Sequence, residues 1–350
     1  MALEAHVDAQ VIARPALGAY SPDVLRLEKR PLGAPAEGEV LLRVLYLSLD
    51  PTNRNWLKLA PNNTVYEKIG RNLAVGDVMV GEIIGQIEES RAPGWTQGEF
   101  VGCVAEWQDR AVVPATRLRK LDVHDGEPLT VHLTIFSHIG MAAMAGIRDV
   151  GKVQPGETVL VSAAAGATGS LAVGIAKSMG CRVIGIAGGT EKCALVTGSF
   201  GADAAIDYKS EDVGEALGRL APEGIDVYYD NVGGPILDTV LMHMANGGRV
   251  AVCGVMADYD AGEDRPGIKN MFQVLIRHLR IEGYLANHFN AKRERYFAEL
   301  RGLLEKGAIH HREHLSHGLD SVPGQLELLF SGRNQGKLIV KLADAGTPRP

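Results

Sequence analysis

Residues 158–192 constrain the fold of this 350-residue chain more than any other stretch. Val159, Leu160 and Val161 form a short β-branched and apolar run, the composition of a strand buried on both faces of a parallel sheet. The run gives way to small residues, Ser162-Ala163-Ala164-Ala165-Gly166-Ala167-Thr168-Gly169. Leu171, Ile175 and Met179 follow at helical spacing, and Arg182 to Ala187 reads as a second buried strand. Strand, glycine-bearing turn, helix and strand together make the geometry of a dinucleotide-phosphate site. Backbone N–H groups and the positive dipole end at the start of such a helix favour a phosphate. Gly166 lets the backbone approach a pyrophosphate, and Gly169 lets the helix pack closely on the strand. Ala164 stands where the usual fingerprint has its first glycine.

From Thr158 onward, strand and helix alternate without interruption. Strands are expected at 158–162, 182–187, 203–207, 225–229 and 248–253, with a sixth over Leu279 to Leu285. Helices are expected at 167–179, 190–199, 211–220 and 233–244, and a charged amphipathic one at 291–306. This alternation implies an α/β fold with a doubly wound parallel sheet. Residues 6–125 read instead as short strands separated by Pro and Gly, with the glycine-rich segment Val75 to Ile87 suited to a small coiled barrel. A helix of small residues, His132 to Ile147, carries the chain across. The last forty or so residues return to strand composition around Gly336-Lys337-Leu338-Ile339-Val340-Lys341 and are expected to rejoin the first domain. The expected boundaries are 1–130, 131–308 and 309–350. The segment from Asp50 to about Asn72 is long for a simple connection, and loops of that length tend to be functional.

With 36 Lys and Arg against 42 Asp and Glu, the formal net charge is −6. That balance gives no electrostatic reason to expect nucleic acid or an anionic membrane as a partner. No stretch approaches the roughly 18–20 apolar residues a bilayer requires. The first ten residues carry acid and lack the apolar core of a signal peptide. The four cysteines, Cys103, Cys181, Cys193 and Cys253, form no Cys-x-x-Cys pair. Buried thiols are expected at Cys181 and Cys253, and a reduced cytoplasmic protein fits this usage.

The nucleotide is read from the end of the second strand. An NAD site carries Asp or Glu there, about 20 residues past the glycine turn, to accept from the ribose 2′-hydroxyl. This chain has Ala187-Gly188-Gly189, so nothing repels a 2′-phosphate. Lys192 can supply a charge to that phosphate and Tyr208 a hydroxyl. The expected cofactor is NADPH.

Taken together, several motifs resemble the zinc-free branch of the medium-chain dehydrogenase/reductase superfamily, in particular its prostaglandin reductase, leukotriene dehydrogenase and plant double-bond reductase group. They are Ser48-Leu49-Asp50-Pro51 with Arg54, the turn Ala163 to Ser170, Glu191-Lys192, Tyr229-Asp230-Asn231-Val232-Gly233-Gly234, Cys253-Gly254 with Tyr259, and Asn334-Gln335-Gly336-Lys337. The resemblance implies a GroES-like β-barrel domain beside a Rossmann domain, in a homodimer. It implies that Gly166, Ala167, Thr168 and Gly169 cradle the pyrophosphate, and that Gly188, Lys192 and Tyr208 surround the 2′-phosphate. Asn231, Cys253, Gly254, Val255, Tyr259, Tyr284, Leu285 and Ala286 would line the nicotinamide half, and Asn334 would contact the cofactor. Where the family commonly places a tyrosine after Asp-Pro, this chain has Thr52 and Asn53. Trp56 and Tyr66 are the nearby aromatics that would share the substrate side.

Zinc-dependent relatives carry Gly-His-Glu where this chain reads Gly81-Glu82, and Cys103 is the one cysteine of the first domain. Three N or S ligands around an open metal position cannot be assembled from these residues. The histidines at 310, 311, 314 and 317 fall in a strand-like segment and would alternate faces. Without zinc, the chemistry that survives is hydride addition to an already polarised acceptor. An α,β-unsaturated aldehyde or ketone fits, with Tyr259 as donor to its oxygen. Arg54 is expected in a structural ion pair with Asp50. The runner-up readings are a zinc-free NADPH:quinone oxidoreductase and a non-catalytic, crystallin-like NADPH-binding protein.

Overall fold

The computed structural model describes residues 5–59, 73–259 and 267–346. It divides into two compact units, with boundaries at 133/134, 312/313, 334/335 and 337/338. The first unit takes up the N-terminal third and most of the C-terminal return. The second holds the middle of the chain and also residues 335–337, a short insertion into the return that the sequence did not suggest.

In the first unit, β1 (Ala5–Ile12) and β2 (Leu25–Leu32) form an antiparallel pair. They are followed by β3 (Glu39–Leu49), the short helix α1 (Asn53–Trp56), β4 (Val80–Ser90), β5 (Phe100–Glu106), β6 (Arg110–Pro114) and β7 (Arg119–Lys120). On β3, Val40, Leu42 and Val44 are buried and Glu39, Leu41 and Arg43 before each of them are half-exposed, the period-two pattern of a strand with one core face. β3 pairs antiparallel with both β4 and β6, and β4 with β5.

The second unit opens with α2 (His138–Ala145). Here the structure corrects the expected helix at 132–147. Residues Leu129–Leu133 are a separate 3₁₀ turn, and α2 begins at 138 because the Ser137 side chain accepts the Ile139 N–H as its cap. Past Ala145 the backbone widens into a π-helical turn, Gly146–Val150. There follow β8 (Thr158–Val161), α3 (Ala167–Ser178), β9 (Arg182–Ala187), α4 (Thr190–Gly198), β10 (Ala204–Asp207), α5 (Val213–Leu220) and β11 (Ile225–Asp230). The unit continues with α6 (Gly234–Leu241), β12 (Met244–Val252), α7 (Phe272–Ile276), β13 (Arg280–Gly283) and α8 (Arg293–Glu305). Among the described residues the six strands form one parallel sheet in the order β10-β9-β8-β11-β12-β13.

The chain therefore leaves β8 toward one edge, through β9 and β10, and returns to the other side of β8 as β11. That reversal is a topological switch point, and ligands of such sheets bind beyond the strand ends there. Leu160, Ile184, Ile206, Tyr228 and Val240 belong to one core cluster of this unit. Leu171 to Ala176 of α3 are all buried, so the helix is covered on every side and not on a single stripe.

The return supplies β14 (Glu313–His317), α9 (Val322–Phe330) and β15 (Lys337–Lys341). β15 pairs antiparallel with β3, and Val322, Leu326, Leu338 and Val340 complete the core formed by Leu42, Val44, Ile83 and Trp107. The apolar pattern of the last segment is thus the missing wall of the first unit. Among the described residues no helix is long and apolar enough to cross a membrane.

Candidate active site

The turn after β8 is built by sterics before any ligand is considered. Ala163 takes a left-handed backbone (φ +48), and Gly166 is the residue before α3, with no side chain capping the helix start. Its first N–H groups are left for an acceptor from outside the helix. A Cβ on Gly169 would lie 2.3 Å from the Ala163 carbonyl oxygen, so the tight return of the helix on the turn demands glycine there. Ala164, where the fingerprint expects glycine, fits for a reason in the next strand. A Cβ on Gly185 of β9 would come within 2.8 Å of the Ala164 Cβ and 2.5 Å of Val196 Cγ1. The missing side chain at 185 makes the room that the alanine takes up.

At the far end of β9, Gly188 is equally constrained. A Cβ there would meet the Tyr208 ring at 2.8 Å, its hydroxyl at 2.9 Å and Lys209 Cε at 3.0 Å. Tyr208 and Lys209 thus lie directly across the strand end, and α4 starts beside it at Gly189 (φ +97) without a side-chain cap. Lys192 is in the first turn of α4; burial, with the charge of Lys209 added, lowers its ammonium below the usual lysine value. An ammonium disfavoured in this way, beside a second lysine, belongs to a donor set that a phosphate dianion would relieve. The carboxylate of this corner, Asp207, accepts from the Gly189 and Lys209 backbone N–H groups at 2.7 and 3.1 Å, so it organises the turn. The residues fit a 2′-phosphorylated ribose. Lys209 and Asp207 went unnoticed in sequence reading, although the adjacent Tyr-Lys pair at the end of β10 was the available signal.

The end of β11 is organised by a buried acid that motif reading passed over. Asp230 Oδ1 accepts from the Ser162 hydroxyl (3.1 Å), the Tyr228 hydroxyl (2.7 Å) and the N–H groups of Val232 and Gly233 (2.9 Å each). Burial raises its carboxyl above the ordinary value even with these donors. Asn231 is held on the same serine: its N–H donates to Ser162 Oγ at 2.9 Å and its side-chain amide to the Ser162 carbonyl at 2.7 Å. The loop after β12 is strapped to this corner. Gly254 N donates to the Asp230 carbonyl, Met256 N to that of Asn231 and Ala257 N to that of Val232. Val255 is exposed, and Tyr259 ends the 3₁₀ turn Met256–Asp258 half-buried. The structure thus gathers Asn231, Gly254, Val255 and Tyr259 at the switch point of the sheet.

One expectation needs correcting here. Cys253 is half-buried instead of buried, although burial still raises its thiol. Tyr284 keeps its side chain in the interior, where its hydroxyl interacts with Cys253 and Tyr229. Its hydroxyl donates to the Ala142 carbonyl (2.8 Å) and lies 3.0 Å from the Tyr229 hydroxyl, itself 3.2 Å from Cys253 Sγ. The side chain belongs to a buried polar network under the strand ends, and the Tyr284 N–H donates to the Val252 carbonyl. Leu285 is exposed, and Ala286 opens the 3₁₀ segment Ala286–Lys292.

In the first unit, Thr52 is half-buried at the start of α1 and Trp56 packs against the core. Asn53, expected at the substrate, is buried, and its amide oxygen accepts the Asp50 N–H at 2.7 Å, so it serves the turn. Arg54 is buried, and its contacts with Ala16 and Gly18 are structural ones. Its guanidinium donates to the carbonyls of Ala16 (2.7 Å) and Gly18 and lies over the Phe330 ring. Asn334 is half-buried at the end of the first unit's share of the return, and Tyr66 lies outside the described residues.

The N-terminal domain of an oxidoreductase family matches residues 10–121, and the family described as zinc-binding dehydrogenase matches residues 167–304. The chain is 35% identical to the NADPH-dependent curcumin reductase of Escherichia coli strain K12, over 95% of this chain and 96% of that protein. It is a zinc-free medium-chain dehydrogenase/reductase. It is also 36% identical to the NADP(+)-dependent 2-alkenal reductase of Nicotiana tabacum, covering 87% of this chain and 88% of that one. Among solved structures, CurA of Vibrio vulnificus in complex with NADPH superimposes with a TM-score of 0.88 at 33% identity, covering 97% of this chain and 100% of that one.

In this medium-chain dehydrogenase/reductase, the positions where zinc relatives carry ligands are otherwise engaged. Glu82 lies 3.8 Å from the Arg119 guanidinium, and Trp107 fills the space a side chain at Gly81 would need. Among the described residues no three His, Cys, Asp or Glu side chains are grouped as a metal ion requires. His314 and His317 are on β14, whereas His310 and His311 precede it and line a cleft of about 440 Å3 with Phe200 and Arg312. This corrects the expectation that all four lie in one strand.

Burial, helped by the charges of Glu82 and Glu106, pushes the Cys103 thiol up to about 12, from an ordinary value of about 8.5. A raised acid means that the unfolded chain ionises first, so stability present below the ordinary value is lost as pH rises toward the folded one. Between pH 8 and pH 10 the protein is expected to lose about 2 kcal/mol more than its Cys103→Ala variant. Urea midpoints of both proteins across that window check this, and parallel profiles would reject it.

Proposed function

We propose that this chain reduces the C=C bond of α,β-unsaturated aldehydes and ketones with NADPH, without a metal. The observation that carries the reading is the strand end at Ala187-Gly188-Gly189. It has no carboxylate of its own, is crossed by Tyr208, and is flanked by Lys192 and Lys209. This corner fits a 2′-phosphate, and relatives named as NADPH- or NADP-dependent reductases of curcumin and 2-alkenals share more than a third of the aligned residues. Gly166, Ala167, Thr168 and Gly169 hold the pyrophosphate at the uncapped start of α3. Asn231, Cys253, Gly254, Val255 and the backbone of Tyr284, Leu285 and Ala286 line the nicotinamide half, with Asn334 as a further contact.

When bound, NADPH supplies the hydride. The protein must then stabilise and protonate the oxygen that gains charge. The Tyr259 hydroxyl is assigned that role, because its loop is tied by Met256 and Ala257 to the Asn231 corner. On the first unit, Thr52 and Trp56 are assigned to the substrate. Tyr259→Phe is expected to lower kcat on an enone by more than tenfold, the range of a positioned acid. A loss below twofold would exclude the role. The assay is NADPH consumption over aliphatic, aromatic and cyclic enones and a quinone. Turnover of the quinone alone, or tight NADPH binding without turnover, would each replace the reading.

We also assign the chain to a cytoplasmic homodimer. All four thiols are free, which fits a reducing compartment. β13 is an edge strand of its sheet among the described residues, and nearby Met271, Phe272, Leu275 and Ile276 are about half exposed or more. An open edge beside exposed apolar side chains is what a second copy would cover. Sedimentation equilibrium should give twice the chain mass; a monomer at micromolar concentration would refute it.

A further inference from the structure

We propose that Gln335 is a specificity-positioning residue that holds the Glu191 carboxylate away from the 2′-phosphate corner. The proposal rests on the assignment of Lys192 and Tyr208 to that phosphate. Residues 335–337 belong to the second unit although the return on either side of them does not. There the Gln335 side-chain amide donates to Glu191 Oε2 at 3.0 Å. The insertion is fixed in place by the Lys337 N–H, which donates to the Arg312 carbonyl at 2.7 Å. A Cβ on Gly336 would lie 2.0 Å from that same oxygen.

The reason such a hold matters follows from where Glu191 is. It lies in the first turn of α4, immediately before Lys192, and α4 follows Gly189 without any side chain capping its N–H groups. The positive end of a helix dipole stabilises a carboxylate as readily as a phosphate. Left to itself, the Glu191 side chain would compete for those N–H donors and for the ammonium groups of Lys192 and Lys209. Even without occupying the corner, it would repel a phosphate dianion. A neutral donor is the side chain suited to hold it: Gln335 satisfies the carboxylate without adding positive charge that would itself attract the phosphate.

Calorimetric titration of the full-length protein with 2′,5′-ADP and with 5′-ADP tests this apart from turnover. Wild type should prefer 2′,5′-ADP. Gln335→Ala should weaken 2′,5′-ADP binding by about fivefold, the scale of a partly exposed charge interaction, and leave 5′-ADP unchanged. Adding Glu191→Ala to that variant should restore 2′,5′-ADP affinity, because the competing carboxylate is gone. Gln335→Glu should lose at least as much as Gln335→Ala. Equal weakening of both ligands would make Gln335 merely structural, and no weakening, or no restoration in the double variant, would equally overturn the proposal. A wild type that does not distinguish the two nucleotides would overturn the phosphate assignment itself, and the proposal with it.

Discussion

Lys192→Glu is expected to lower kcat/KM for NADPH by about 100-fold while changing that for NADH less than about threefold. The substitution removes a charge-assisted hydrogen bond to the 2′-phosphate, worth roughly 1.5–3 kcal/mol, and puts a like charge in its place. Two features enlarge the effect at this corner. The ammonium is partly buried and already disfavoured by Lys209, so little water screens its interaction with a phosphate. Lys209 and Tyr208 remain across Gly188, so NADH should still find the adenosine side intact. The steady-state ratio of the two cofactors is the measurement. An unchanged ratio would remove Lys192 from the site and the choice of NADPH with it.

Asp230→Ala should be the most damaging single change in the second unit. Four donors converge on one oxygen of a fully buried side chain: two hydroxyls and two backbone N–H groups. Hydrogen bonds to a charged group contribute roughly 1.5–3 kcal/mol each, and buried donors left without an acceptor cost as much again as their desolvation. The losses overlap, because all four share one acceptor, and about 4 kcal/mol in total is the expected scale. That corresponds to a fall of about 10 °C in Tm for a unit of this size. Asp230→Asn keeps a carbonyl oxygen for the donors and should fall between. Thermal unfolding of the three proteins checks the order. A Tm within about 2 °C of wild type for Asp230→Ala would show that water replaces the acid.

The second unit was readable because its signals are local. A β-branched run, a small-residue turn and a helical period each lie within a dozen residues, and they placed β8, α3 and β9 within two residues of where they are. The end of β9 was legible for the same reason, since the absence of an acid at 187–189 is visible in the string. What escaped was convergence from distant strands. Asp230 meets Ser162 across 68 residues, and Tyr284 reaches Ala142 across 142, so no spacing rule announces either. Helix limits around 132–147 were missed because Ser137, a polar residue between Phe136 and His138, is the true cap. Asn53 shows the opposite case: a polar residue in a functional-looking loop also closes its own turn.

The alanine in the phosphate turn carries a lesson about order of events. Residues 164 and 185 occupy one small volume between two strands, and only one of them can own it. A side chain at 185 would not be tolerated unless 164 and 196 had shrunk first. A mutational path that enlarges 185 before reducing its neighbours runs through a protein that cannot close its turn. The nucleotide fingerprint is therefore better written as an occupancy rule shared by adjacent strands than as a row of letters. Chains that satisfy the rule from the other side will be missed by a search for the letters alone.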